Sequence, residues 1–187
     1  FYMMNTQAMS GYFEGRFGFC GEGGQSCLDQ AQGVWAQTQA AADIHNDVSS
    51  DCEFTAFVGY EWTGAQDVAN LHRNVIFSTA AVPEEPITFY EARTAQALWK
   101  GLGEQCNEEK GCDYVVIPHN SNLSNGLMFQ SQNPDGSPLS KEDVILRSEN
   151  ERLVEIMQHK GDSECTLLQQ LPMTQPDENC GNEHLPY

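Results

Sequence analysis

The chain has 187 residues, 40% of them hydrophobic, enough for one domain with a core of its own and too many for an unstructured tail. Its 27 acidic residues outweigh 9 basic ones, for a formal charge of −18. Such a surface repels phosphate backbones and anionic lipid, which disfavours nucleic-acid and membrane-surface functions, and no apolar run approaches the roughly 20 residues of a membrane-spanning helix.

The acidity itself reads as a solvating surface, of a kind suited to a salty habitat, and says little about mechanism. Residues 1–26 are rich in Gly, Phe, Tyr and Met and read as an irregular approach segment. The first basic residue is Arg16, so the start does not read as a signal peptide, and an export signal is expected upstream. Gly21-Glu22-Gly23-Gly24 hints only faintly at a phosphate cradle, because no Lys-Ser/Thr pair follows at the P-loop spacing.

Cys20 and Cys27 flank this polar turn, as Cys106 and Cys112 flank another. A disulfide across each would close a surface loop and point to an oxidising compartment. Zinc binding is the weaker alternative, since no Cys-x-x-Cys occurs, and unpaired buried thiols are the plainest one. Cys52, Cys165 and Cys180 leave an odd sulfur.

From Cys27 to Val48 the spacing of Leu28, Ala31, Val34, Trp35, Ala41, Ala42 and Ile44 predicts a helix, with His45 near its end. Phe54 to Trp62 (FTAFVGYEW) is nearly unbroken in apolarity, as in a strand buried on both faces. After a polar turn, Leu71 to Ser78 alternates like a second strand. Pro83 and Pro86 break the chain, and Thr88 with Glu91 resembles a capping box before a helix carrying Ala92, Ala95, Leu98, Trp99 and Leu102. Tyr114 to Pro118 is a short strand ending at His119, Ser140 can cap a helix through about Arg147, and Leu153 to Met157 (LVEIM) is a further strand. Strands alternating with helices predict an α/β domain with a mainly parallel sheet.

In such sheets function gathers where strands end. Glu61 closes one strand, His119 closes another, and Glu155 lies inside LVEIM. A hairpin from Glu61 would return His72 close to it, and a carboxylate beside an imidazole suits a divalent cation such as Mn, Zn or Fe. The plainer alternatives are a hydrogen-bonded structural histidine, or Glu61 paired with Arg73. The second is awkward, because His72 and Arg73 are adjacent and so face opposite sides of a strand. The loop from His119 to Gly126 could hold a phosphate or sugar oxygen, although Asn and Ser equally favour turns on their own backbone. No Gly-x-Ser-x-Gly elbow supports a covalent serine mechanism.

FTAFVGYEWTG, NLHRNVIF, IPHNSNLSNGLMF and LVEIMQHKGDSEC together resemble the bacterial family called domain of unknown function 3604, from about Cys27 to the end. That family in turn resembles the polymerase and histidinol phosphatase (PHP) superfamily of metal-dependent phosphoesterases. Those enzymes carry a strand ending in a Gly-x-Glu-like motif, a histidine on the next strand and a strand ending in histidine. Gly59-Tyr60-Glu61, His72 and Ile117-Pro118-His119 fill these places in order.

By that resemblance Glu61, His72 and His119 are metal ligands in a cluster of up to three ions, with Glu61 and His119 the catalytic pair. Asn120 and Asn122 become candidate substrate contacts, and Lys160 could meet an anionic group, its plainer role being a surface charge. The implied fold is a distorted β/α barrel, and the implied reaction is hydrolysis of a small phosphoester. The superfamily's opening His-x-His, its Asp-His pair and its closing Asp-x-His do not occur here; His45, His159 and His184 stand alone. The chain is therefore expected to be an internal segment of one larger exported, periplasmic or extracellular domain, spanning 1–187 as a single incomplete unit. A non-catalytic exported binding domain and a hydrolase of other esters, such as sulfates, are the rival functions.

Overall fold

Three apolar segments become strands, β1 (Val58–Trp62), β2 (Arg73–Phe77) and β3 (Tyr114–Pro118), with β2 in the centre. They belong to a computed structural model that describes residues 17–66, 69–121, 124, 126–133 and 136–156. Val75 lies opposite Tyr60 on one side and Val116 on the other, and both pairings are antiparallel.

The described sheet thus departs from the parallel arrangement expected, and the connections explain why. No α-helix is present among the described residues between β1 and β2; the chain doubles back as a hairpin, and the Leu71 N–H bonds the Gly64 carbonyl at 2.9 Å. Between β2 and β3 the chain does form a helix, but it returns to the end it left, where the Ser78 N–H bonds the Asp113 carbonyl (3.0 Å). A parallel neighbour would have required a crossover to the opposite end.

Alternation fixes what each face carries. Val58 and Trp62 of β1, Arg73, Val75 and Phe77 of β2, and Val116 and Pro118 of β3 are all buried on one side of the sheet. The strand around Tyr60 is therefore buried on one face and not on both, since Glu61 is exposed.

Among the described residues, three α-helices accompany this sheet: α1 (Gln25–His45), α2 (Ala95–Gln105) and α3 (Lys141–Asn150). In α1 only Trp35 is buried, while Val34 and Ile44 of the expected apolar stripe are exposed. The Trp35 ring meets those of Tyr60 and Phe77 at centroid distances of 5.8 and 6.1 Å, and its indole N–H bonds the Pro83 carbonyl at 3.0 Å. Burying one such ring contributes about 3–5 kcal/mol as judged by truncation to alanine, so Trp35 is the anchor of this helix. Gly24, at φ 78°, supplies the left-handed residue from which α1 starts.

Leu98, Trp99 and Leu102 of α2 complete the core with Ile87, Phe89 and Ala92. The helix begins later than the capping box at Thr88 suggests. Glu91 does reach back to the Thr88 N–H (3.0 Å), but the box closes a single turn. The Ala92 carbonyl, which a continuing helix would give to Gln96, accepts instead from the indole N–H of Trp62 (3.1 Å). Thr94 then caps a fresh helix by accepting from the Ala97 N–H at 3.1 Å. Ser140 caps α3 as expected, through the Asp143 N–H (3.0 Å).

Both short-range cysteine pairs are disulfides, Cys20–Cys27 and Cys106–Cys112, which removes the thiolate zinc alternative for these four. The second ties the end of α2 to the approach to β3. Cys52 is an exposed free thiol, and Cys165 and Cys180 lie outside the described residues. The LVEIM segment is not a strand over its described part: one backbone bond, from the Glu155 N–H to the Pro118 carbonyl (3.1 Å), touches the end of β3. One such bond makes no ladder, and Leu153, Val154 and Ile156 are exposed. No helix among the described residues is long and apolar enough to cross a membrane.

Candidate functional site

The alternation that sends Trp62, Arg73 and Pro118 into the core turns their neighbours Glu61, His72 and His119 to the other face. The ladder continues one step past β2 and β3, where the His119 N–H donates to the His72 carbonyl at 3.3 Å. The three expected ligands therefore meet at one end of the sheet. The carboxylate Oε1 of Glu61 lies 3.6 Å from Nδ1 of His72, and the two imidazole centroids are 5.2 Å apart, edge to face.

The partners of each ring decide its tautomer. A carbonyl can only accept, and that of Asn120 contacts Nδ1 of His119; Nδ1 carries the hydrogen and Nε2 the lone pair. In His72 it is Nδ1 that faces the Glu61 carboxylate, at a distance where the carboxylate favours the hydrogen on that nitrogen. Its Nε2 is buried with no hydrogen-bond partner. Both imidazoles are thus held from the Nδ1 side with Nε2 left as a donor atom, the manner in which proteins orient ligating histidines.

Charge and burial act on the same groups. Glu61 is held below the usual carboxylate range, first by the His72 imidazole that faces it and further by Thr63 and the nearby His119, against the opposing effect of burial. Burial lowers the pKa of His119 despite the Asn120 carbonyl and the carboxylates of Glu61 and Glu155, which act the other way. Neutral imidazole beside an ionised carboxylate is the state a cation requires.

Arg73 does not pair with Glu61. It is buried on the core face, where its Nε donates to Glu151 at 2.8 Å. Arg147 meets the same carboxylate at 3.4 Å. A cleft of about 510 Å³ on that side is lined by Arg73, Trp99, Met128 and Arg147, and by neither imidazole.

Asn120 is buried directly behind His119. Asn122 and Lys160, the other expected substrate contacts, lie outside the described residues, as do His159 and His184. The loop after His119 uses its described residues for turns: the Ser124 N–H bonds the Ser121 carbonyl and the Leu127 N–H bonds the Ser124 carbonyl, both at 3.0 Å. His45 sits at the end of α1. Glu155, to which the sequence alone assigns no role, accepts from the Asn120 N–H through Oε2 at 3.1 Å. A carboxylate among apolar neighbours was the available signal, and it lacked a neighbouring motif to give it meaning.

Two nitrogen donors and a carboxylate are a chemically suitable set for Mn, Zn or Fe, and the orphaned buried Nε2 of His72 is the kind of atom a cation would satisfy. As the side chains stand, no three His, Cys, Asp or Glu groups among the described residues converge as a closed ligand set.

Fold and site together define a disulfide-bonded unit of helices on a three-stranded antiparallel sheet, which presents two imidazoles and a carboxylate on one face. The chain belongs to the family described as Protein of unknown function (DUF3604), which matches residues 2–186. No curated protein and no solved structure matches it.

Proposed function

We propose that this chain is part of a metal-dependent hydrolase acting on small phosphoesters, with Glu61, His72 and His119 facing the cation. The observation that carries the reading is the pair of imidazoles, each engaged at Nδ1 and each leaving Nε2 as a donor. The resemblance to the polymerase and histidinol phosphatase superfamily, with its distorted β/α barrel, assigns the same three positions to ligands.

A divalent cation at this place would polarise phosphoryl oxygens and acidify water near neutral pH. The protein's own share of the work is orientation. Glu61 holds His72 by its Nδ1 and contributes the negative charge that draws a cation to a half-exposed rim. His119, buried and biased towards its neutral form, supplies a nitrogen that need not lose a proton first. Asn122 and Lys160 are proposed as contacts to the anionic part of the substrate. Two disulfides accord with an exported protein in the periplasm or outside the cell.

A second reading, a non-catalytic exported binding domain, is favoured by the absence of a closed three-residue ligand set among the described residues. Metal analysis of the purified protein, followed by a panel of phosphomonoesters, phosphodiesters and sulfate esters, separates the two. Bound metal with turnover of a phosphoester supports the hydrolase. Absence of turnover, with or without bound metal, supports the binding domain; turnover of sulfates alone replaces the substrate class; and a metal-free protein without turnover overturns the hydrolase proposal.

A further inference from the structure

Glu155 is a carboxylate that neither the ligand set nor the substrate contacts use. Its segment follows α3 and is fastened to the end of β3 by the bond from its own N–H to the Pro118 carbonyl (3.1 Å). That fastening fixes where the side chain can reach. Its Oε2 accepts the N–H of Asn120 at 3.1 Å, and this N–H belongs to the peptide unit that joins His119 to Asn120. The next carbonyl along, that of Asn120, is the one that contacts Nδ1 of His119. Asn120 is itself buried, so water is poorly placed to replace either contact.

We propose that Glu155 is a positioning residue for His119. By gripping the 119–120 peptide it aims the Asn120 carbonyl at Nδ1 and keeps the imidazole in its Nδ1–H tautomer, with the lone pair on Nε2. The arrangement parallels the one at His72, where Glu61 faces Nδ1 directly; at His119 a carboxylate does the same work through one turn of backbone. The inference rests on the metal reading above only in its second readout.

The first readout needs no metal. In the full chain, with histidine labelled by nitrogen-15, the imidazole nitrogen shifts of His119 report its tautomer. Wild type and Glu155→Gln, whose amide oxygen still accepts from Asn120, should both show the Nδ1–H form. Glu155→Ala should show a mixture of tautomers. Glu155→Asp, one methylene too short to keep the contact, should behave as alanine does and serves in its place if the alanine variant fails to fold.

The second readout is affinity for Mn2+ or Zn2+ alone. Loss of an orienting partner typically weakens metal binding about 10–100-fold, which is expected for alanine and aspartate but not for glutamine. An unchanged tautomer in both the alanine and aspartate variants overturns the inference. So does a glutamine variant as impaired as alanine, which would assign the effect to charge. If wild type binds neither metal, the proposed function falls while the tautomer measurement still decides the role of Glu155.

Discussion

The N–H of His119 donates to the carbonyl of His72 at 3.3 Å, so the two imidazoles are neighbours across a ladder and their separation is set by backbone, not by side-chain choice. Cross-strand neighbours on one face of an antiparallel pair are held at a nearly fixed distance. A site built this way is preorganised by the same hydrogen bonds that hold the sheet.

His119→Ala is therefore expected to remove a ligand without dismantling the sheet. Metal affinity should fall by at least about 10-fold, since even outer partners of a ligand are worth that much. Elemental analysis and titration with Mn2+ or Zn2+ check it. Unchanged metal content would count heavily against the assignment of His119.

Metal-free stability should decline as pH falls, in two stages. The folded pKa of His119 is lowered, so the unfolded chain takes up a proton first; stability is lost as pH drops below the ordinary histidine value of about 6.5 towards the depressed folded value. Glu61 is also lowered, and its contribution is present above the ordinary carboxylate range and lost on acidification through it. Thermal melts between neutral and acidic pH in the presence of a chelator test this. The upper stage should vanish in His119→Ala, and the lower should shrink in Glu61→Gln.

Much of this site was legible in the sequence, and less of the fold. Glu61, His72 and His119 were visible because each sits at or beside a strand terminus, and the resemblance to the PHP superfamily gathered the three into one site. The pairing of His72 with Glu61, against Arg73, followed from strand alternation. Sheet direction was not legible, because an antiparallel return and a parallel crossover can both contain a helix such as α2, and only the end at which Tyr114 re-enters distinguishes them. The late start of α2 depends on the Trp62 indole taking the Ala92 carbonyl, a contact between residues 30 positions apart that no local pattern encodes. The role of Glu155 likewise needs the Pro118 contact, which is long-range.

The pair Arg73–Glu151 makes a separate prediction about the core face. Their side chains are 4% and 3% exposed, and Glu151 also meets Arg147. Burial pushes the Arg73 pKa down while Glu151 holds it up. Glu151→Ala would leave the Arg73 guanidinium buried without its counter-charge, a change that costs about 3–5 kcal/mol in buried pairs. Urea unfolding should show that loss as a lower midpoint. An effect below about 1 kcal/mol, the range of surface pairs, would mean the pair is far more solvated than its burial implies.

Gly64→Ala tests the hairpin that returns His72 to Glu61. A methyl group at this position would stand 2.2 and 2.4 Å from two ring carbons of Trp62 and 2.9 Å from the Leu71 carbonyl. Neither neighbour can yield easily: Trp62 is fully buried and tied by its indole to Ala92, and the Leu71 N–H is bonded to the Gly64 carbonyl itself. Overpacking of this kind typically costs about 1–3 kcal/mol, and here the displaced backbone leads directly into His72. Both stability and metal affinity should fall. Gly103→Ala supplies the contrast, since it lies inside α2 with nothing within 4 Å of the added carbon. Removing a helical glycine there should raise stability by about 0.5–1 kcal/mol and leave metal affinity untouched. If the two variants behaved alike, the close packing of Gly64 against Trp62 could not be what sets the geometry of the hairpin.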